Sequence, residues 1–293
     1  MKKCPFAGVA SALATPFKDG EIDYDAFRRN CDWQINMGVD ALVVAGTTGE
    51  AATLAKSERR ILAETCIDVA KGRVPVVVGC GSSDTVAAMS FCREAASIGA
   101  DAMLVITPYC NKGTERGIIE HFKRVADAAN GKSVILYNVP SRTGADLSFS
   151  QCKELSKIEN IVGIKEAAAN ITKMTRLVGE TSLSLYSGND DMILPVVSLG
   201  GVGVISVLSN LVPAAVSAMT HAALDGDFKH AQGVAHIYAH FIELLFAETN
   251  PAPLKYAMSL LDLCTGEMRL PMGEIADTLK VKIKDEMVKL ALL

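Results

Sequence analysis

No cysteine in this chain is placed to build a metal or disulfide-exchange centre. The eight cysteines, at positions 4, 31, 66, 80, 92, 110, 152 and 264, form no C-x-x-C pair. That excludes a zinc ribbon or a thioredoxin-type motif, and free thiols in a reducing cytoplasm are the simplest reading. No apolar stretch reaches the roughly 18 charge-free residues that a membrane span requires. No G-x-x-x-x-G-K-[ST] motif occurs, so a nucleotide site of that kind is not indicated. Excess positive charge is missing as well: the net charge is −4 and the Lys and Arg residues are dispersed. Nucleic acid and anionic membrane are therefore poor candidates as partners. His236 and His240 are spaced i, i+4 on an expected helix, but the Glu of a zinc-protease motif is lacking, so they read as a surface face. The run Asp19-Gly20-Glu21-Ile22-Asp23 lacks the full calcium-loop pattern.

What the chain does have is length and apolar content. Its 293 residues, 49% of them hydrophobic, suffice for a sizeable core. That exceeds the roughly 250 residues of a single (β/α)8 barrel and approaches the limit of one core, so one domain with a terminal extension is expected. Met1-Lys2-Lys3 and the Ala-rich run after it have the outline of a short signal peptide. The run ends in Thr15-Pro16-Phe17 and leads straight into a turn, Lys18-Asp19-Gly20, and a helix, which favours a first strand instead.

Short apolar or β-branched runs recur at 9–14, 41–45, 75–79, 102–106, 133–137, 161–165, 182–187 and 202–207. Most are continuous rather than alternating, as strands buried on both faces are. Amphipathic stretches lie between them, at 24–37, 57–70, 84–98, 117–129, 148–157, 170–178, 191–199 and 212–224. Asp23, Ser57 and Asp84 stand where N-caps belong. Beyond Asp225-Gly226-Asp227 the strand signal stops and only helices are expected. Eight βα units predict an α/β fold, a (β/α)8 TIM barrel over 1–225 with a helical extension over 226–293. A doubly wound open sheet is the alternative, but the first turn lacks its Gly-rich phosphate fingerprint.

Such barrels carry their active sites at the C-terminal ends of the strands. Reactive groups gather there. Lys165 ends the apolar strand Ile161-Val162-Gly163-Ile164-Lys165, on the same face as Gly163 by the period of two. Pointing inward, with Gly163 leaving room below it, it would be a desolvated amine able to form a Schiff base with a ketone. The other reading is a lysine that snorkels from the strand end or pairs with Glu166. Tyr137 ends the preceding strand and would be its neighbour, either a proton shuttle or a Tyr at the core edge. Thr47 and Thr48 lie in a Gly-flanked turn that could hold a carboxylate or be only a tight turn. Arg142 offers a bidentate fork for a carboxylate, or is a solvated loop residue.

Three segments taken together resemble the dihydrodipicolinate synthase/N-acetylneuraminate lyase family. They are Gly46-Thr47-Thr48-Gly49-Glu50, Tyr137-Asn138-Val139-Pro140-Ser141-Arg142-Thr143-Gly144 and Gly163-Ile164-Lys165-Glu166-Ala167. The likeness extends to Asn250-Pro251-Ala252-Pro253-Leu254-Lys255 and Arg269-Leu270-Pro271-Met272. Arg142 and the Thr47-Thr48 pair resemble the synthase branch rather than the sialic-acid lyases, which typically have Gly-Ser-Thr-Gly at the turn. The resemblance implies that Lys165 forms an imine with pyruvate, that Thr48 holds the pyruvate carboxylate, and that Tyr137 and Thr47 relay protons. It implies that Arg142 holds the carboxylate of L-aspartate 4-semialdehyde, and that Gly188 and Ile205 line the pocket. It further implies a cytoplasmic homotetramer built from tight dimers, with no metal or organic cofactor. Two alternatives stay open: a related pyruvate-dependent aldolase acting on N-acetylneuraminate or a 2-keto-3-deoxy sugar acid, and a non-catalytic ligand-binding member.

Two departures stand out. The family's usual Thr-Pro-Tyr-Tyr-Asn is here Thr107-Pro108-Tyr109-Cys110-Asn111. The second Tyr of that pattern reaches across the dimer interface to complete the proton relay, and a thiol is a poorer donor. Positions that bind inhibitory lysine in relatives match Lys56, Arg59, Ser83 and Ala87 here. A cationic Lys56 and an uncharged Ala87 replace a His and a Glu, so weak or no lysine inhibition is expected.

Overall fold

The computed structural model describes residues 4–293, so the Met1-Lys2-Lys3 start of the signal-peptide reading lies outside it. Eight parallel strands form a closed barrel. They are β1 (Gly8–Ala12), β2 (Ala41–Val44), β3 (Val76–Gly79), β4 (Ala102–Ile106), β5 (Ser133–Asn138), β6 (Ile161–Glu166), β7 (Ser184–Ser187) and β8 (Gly203–Ser206). Each pairs with the next in sequence, and β8 closes on β1 through Val9 opposite Val204 and Ala10 opposite Ile205. The Ala-rich run near the start is thus a stave paired on both sides, with β8 and with β2, as a removable leader could not be.

Every strand but the first residue of β5 and the last of β4 is buried throughout, which accounts for the continuous apolar runs. One set of side chains packs outward against the helices. The other fills the barrel interior, where Ala10, Ala41 and Ala102 leave space for Ile135, Tyr186 and Ile205. Phe6 stacks on the Tyr186 ring at 4.5 Å, and the Tyr186 hydroxyl donates to the Phe6 carbonyl at 2.7 Å, so the end of the barrel at the N-terminal ends of the strands is plugged.

The helices begin where short polar side chains satisfy their first N–H groups. The Asp23 carboxylate accepts from Ala26 N, and the Asp84 carboxylate accepts from both Val86 N and Ala87 N. Ser57 does not cap its helix. That helix, Lys56–Ala70, starts one residue earlier, and Glu58 reaches back to accept from Ala55 N at 2.7 Å. The turn Lys18-Asp19-Gly20 closes a two-strand hairpin, Phe17–Lys18 against Glu21–Ile22, which the sequence pattern did not separate from its turn. The stretch 191–199 divides into a 3-10 turn, Asp190–Met192, and a helix, Ile193–Ser198. The extension holds helices Phe228–Leu245, Ala252–Leu260 and Asp277–Lys289. His236 and His240 are exposed on the first of these. Among the described residues no helix is long and apolar enough to cross a membrane.

Candidate active site

Strand register brings the two sharpest residues together. Tyr137 on β5 stands directly opposite Lys165 on β6, and Lys165 is opposite Tyr186 on β7. Lys165 points into the barrel, with Nζ 4.5 Å from the centre of the Tyr137 ring. Lys165 is 5% and Tyr137 6% exposed, so the amine does not snorkel to solvent. Nor does it pair with Glu166, which faces the helix layer. Glu166 accepts from Lys173 Nζ at 2.9 Å and from Asn138 Nδ2 at 2.8 Å, locking the ends of β5 and β6 together.

Gly163 serves differently from the expectation. A Cβ there would lie 2.9 Å from the Ser184 carbonyl oxygen and 3.1 Å from the Tyr186 ring. The missing side chain therefore makes room for Tyr186, which forms the floor beneath Lys165, and not for the lysine stem. Gly188 follows the same logic at the rim. A Cβ there would meet the Ala167 methyl at 2.7 Å and the Glu166 carbonyl oxygen at 3.0 Å, so only Gly lets β7 close against the end of the lysine strand.

Above this floor lies a cavity of about 280 Å³ whose wall includes Gly46, Thr47, Tyr109, Tyr137, Arg142 and Asn250. Thr47, Tyr137 and Arg142 line it directly, while Lys165, Thr48, Gly188 and Ile205 sit outside that lining. Ile205 is fully buried in the same interior cluster as Tyr137. Cys110 is exposed in the loop after β4, at φ 75°, and is not part of the cavity wall of its own chain; its neighbour Tyr109 is.

The Gly46–Glu50 turn is shaped from several sides. Ala45 and Glu50 adopt left-handed φ of 53° and 54°. A Cβ at Gly79 would stand 2.0 Å from the Ala45 carbonyl oxygen, so β3 needs glycine for the turn to pass. Thr48, 3% exposed, accepts from Asn250 Nδ2 at 3.0 Å. Glu50 binds the fully buried Lys255 at 2.7 Å and accepts from Arg269 N at 3.2 Å. Lys255 and Arg269 both stand over the Phe17 ring, at 4.4 and 4.6 Å. Burial pushes the Lys255 ammonium down in pKa and the Glu50 charge pulls it partly back. Arg142 sits on a one-turn helix, Pro140–Thr143, and donates to the Asn250 carbonyl at 3.0 Å. Arg142 is exposed and no carboxylate among the described residues pairs with it, so the donors not used by Asn250 remain available to an anionic ligand.

Several residues of this arrangement carried no role in the sequence reading. Asn250 and Lys255 lie in the extension, between 108 and 205 residues from their partners Arg142, Thr48 and Glu50, and no local signal joins them. Asp190 falls between the apolar run 182–187 and the amphipathic stretch 191–199 and carried no signal of its own. It is fully enclosed and accepts from Ser206 Oγ at 2.5 Å and from Val207 N and Leu208 N at 3.0 Å. Burial raises its carboxyl pKa, opposed by those hydrogen bonds and by the Lys165 charge. At the positions matched to lysine binding, Lys56 donates to Ser90 at 3.1 Å, and Arg59 lies on the Phe91 ring at 4.4 Å while reaching the cavity wall.

Comparison with known proteins agrees with this geometry. The dihydrodipicolinate synthetase family matches residues 5–290. A 4-hydroxy-tetrahydrodipicolinate synthase of Alkaliphilus oremlandii is 44% identical over 287 residues, covering 97% of this chain and 98% of the relative. The crystal structure of the chloride-inhibited dihydrodipicolinate synthase of Acinetobacter baumannii, complexed with pyruvate, superposes with a TM-score of 0.95 at 33% identity, covering 99% of this chain and 100% of that one. A dihydrodipicolinate synthase variant described as monomeric superposes with a TM-score of 0.93 at 33% identity over 98% of both chains.

Proposed function

This chain belongs to the dihydrodipicolinate synthetase family, and we propose that Lys165 is the amine with which it binds pyruvate as a Schiff base. Its activity is that of a 4-hydroxy-tetrahydrodipicolinate synthase, a lyase of the diaminopimelate branch of lysine biosynthesis. The observation that carries the assignment of Lys165 is its enclosed position against the Tyr137 ring at the barrel rim.

The chemistry follows from that pair. The neutral amine adds to the pyruvate ketone, and loss of water gives an imine. Protonation of the imine nitrogen draws electrons from the adjacent methyl carbon, which loses a proton to give an enamine. The enamine carbon attacks the aldehyde of L-aspartate 4-semialdehyde. The amino group of that substrate then displaces Lys165, closing the ring and freeing the enzyme. Tyr137 and Thr47 move the protons of these steps. The Thr48 hydroxyl binds the pyruvate carboxylate, and the Arg142 guanidinium, anchored by the Asn250 carbonyl, binds the carboxylate of the second substrate. Gly188 and Ile205 form the wall behind the imine. No step calls for a metal or an organic cofactor. The active assembly is a cytoplasmic homotetramer, and light scattering of the purified protein tests the tetramer.

Arg142 favours this reading over an aldolase for sialic or 2-keto-3-deoxy sugar acids, because a guanidinium at the wall with no carboxylate partner of its own matches a short second carboxylate. The enclosed Lys165–Tyr137 pair argues against a non-catalytic member. Borohydride reduction in the presence of pyruvate, followed by peptide mass mapping, should place a reduced adduct on Lys165. Absence of the adduct there would defeat every Schiff-base reading, and faster turnover of N-acetylneuraminate than of aspartate semialdehyde would transfer the chain to the alternative.

A further inference from the structure

Asn250 stands at a junction between the extension and the barrel rim. It is 5% exposed, lines the cavity, and touches both groups assigned to carboxylates. Its side-chain Nδ2 donates to Thr48 Oγ1 at 3.0 Å, while its main-chain carbonyl accepts from Arg142 Nη2 at 3.0 Å. Its Oδ1 is buried and has no hydrogen-bond partner among the described residues.

A hydroxyl has one proton and two lone pairs. When an amide N–H occupies a lone pair of Thr48, the Thr48 proton is not spent on Asn250 and must point elsewhere. No other hydrogen bond uses it among the described residues. The Thr48 hydroxyl is therefore held as a donor whose proton no described residue takes, which suits it to an anionic carboxylate. Were the amide reversed, its oxygen would take that proton and Thr48 would have nothing left to donate.

We propose that Asn250 is a positioning residue that sets the direction of the Thr48 hydroxyl, so that the extension determines how tightly the first carboxylate substrate is held. The inference rests on the assignment of Thr48 to the pyruvate carboxylate. Because the Arg142 anchor is a main-chain carbonyl, any side-chain substitution at Asn250 leaves it in place. The second substrate thus serves as an internal control.

The test is steady-state kinetics of Asn250→Ala, Asn250→Asp and Thr48→Val, alone and combined. Losing a hydrogen bond that orients a group binding a charged ligand should raise the pyruvate KM about tenfold in Asn250→Ala. The KM for aspartate semialdehyde should stay within about twofold of the parent value on the same grounds. Asn250→Asp keeps the shape of the side chain but accepts the Thr48 proton and repels the carboxylate, so its pyruvate KM should rise further. In the Thr48→Val background, Asn250→Ala should add nothing. Borohydride trapping at saturating pyruvate should still label Lys165 in every variant, which separates failure of this inference from failure of the Schiff-base reading. An unchanged pyruvate KM, a parallel rise of both KM values, or full additivity with Thr48→Val overturns the proposal.

Discussion

Replacing Lys255 by Met should cost this chain much of its stability without touching the barrel core. Lys255 is fully buried and its partner Glu50 is 5% exposed, with Nζ and Oε1 2.7 Å apart. The same ammonium donates to the Thr15 carbonyl at 2.9 Å. Met conserves the length of the stem but leaves Glu50 as an enclosed carboxylate supported mainly by the Arg269 N–H. Breaking a buried pair from one side costs about 3–5 kcal/mol, because the remaining charge is desolvated and uncompensated. At roughly 2–4 °C per kcal/mol for a chain somewhat smaller than this one, the melting temperature should fall by at least roughly 6 °C. The double variant Glu50→Gln/Lys255→Met removes the stranded charge and should recover most of the loss. Urea denaturation and calorimetry on the three proteins measure both quantities. A single variant within about 1 kcal/mol of the parent, or a double variant no better than the single, would show that the pair is not desolvated as the geometry requires.

Tyr137→Phe should lower kcat roughly 100- to 10,000-fold, the range for a positioned proton donor, while slow trapping of pyruvate on Lys165 persists; a loss under tenfold would remove Tyr137 from the relay. Cys110→Tyr should leave turnover intact or raise it, and complete loss of activity with the fold retained would count against its placement beside the relay. L-Lysine should inhibit weakly or not at all, since Lys56 is cationic and Ala87 cannot accept an ammonium; a micromolar inhibition constant would refute this. Stability should also depend on His121, whose imidazole is pushed by burial from 6.5 to about 4, against the opposing charge of Asp84. Protons then bind the unfolded chain first, so stability is complete above about pH 6.5 and is lost as pH falls towards 4, by roughly 3 kcal/mol in total. Urea midpoints across that window should be flatter for His121→Gln, and an equal slope in both proteins would exclude His121 as the cause.

The barrel was legible because its staves are enclosed on both faces. A run such as Val76-Val77-Val78 has few other uses, and all eight runs became strands with ends shifted by at most two residues. The rim residues were legible for a related reason: Lys165 ends an apolar strand, and Tyr137 is at the matching height on the strand before it. What could not be read is whatever depends on long separations. Nothing near Glu50 announces Lys255, and nothing near Thr48 announces Asn250. Gly163 shows a subtler limit. Its face was correctly inferred, yet the side chain that uses its space comes from the next strand, and only register reveals that Tyr186, not Lys165, takes it. The expected Ser57 cap is not made, because Glu58, three residues after Ala55, reaches back to the Ala55 N–H as well as a serine could.

The Phe6–Tyr186 plug turns the barrel into a blind well. Traffic through that end is closed off, which leaves the rim at the C-terminal ends of the strands. On the proposal that Lys165 carries the imine, whatever it binds is held just above this floor, and the second reactant has to meet it from the rim side. That direction of approach is imposed by a floor of two aromatic rings, one of them seated over a glycine on the lysine's own strand. Nothing that touches the reacting atoms from above is needed to enforce it.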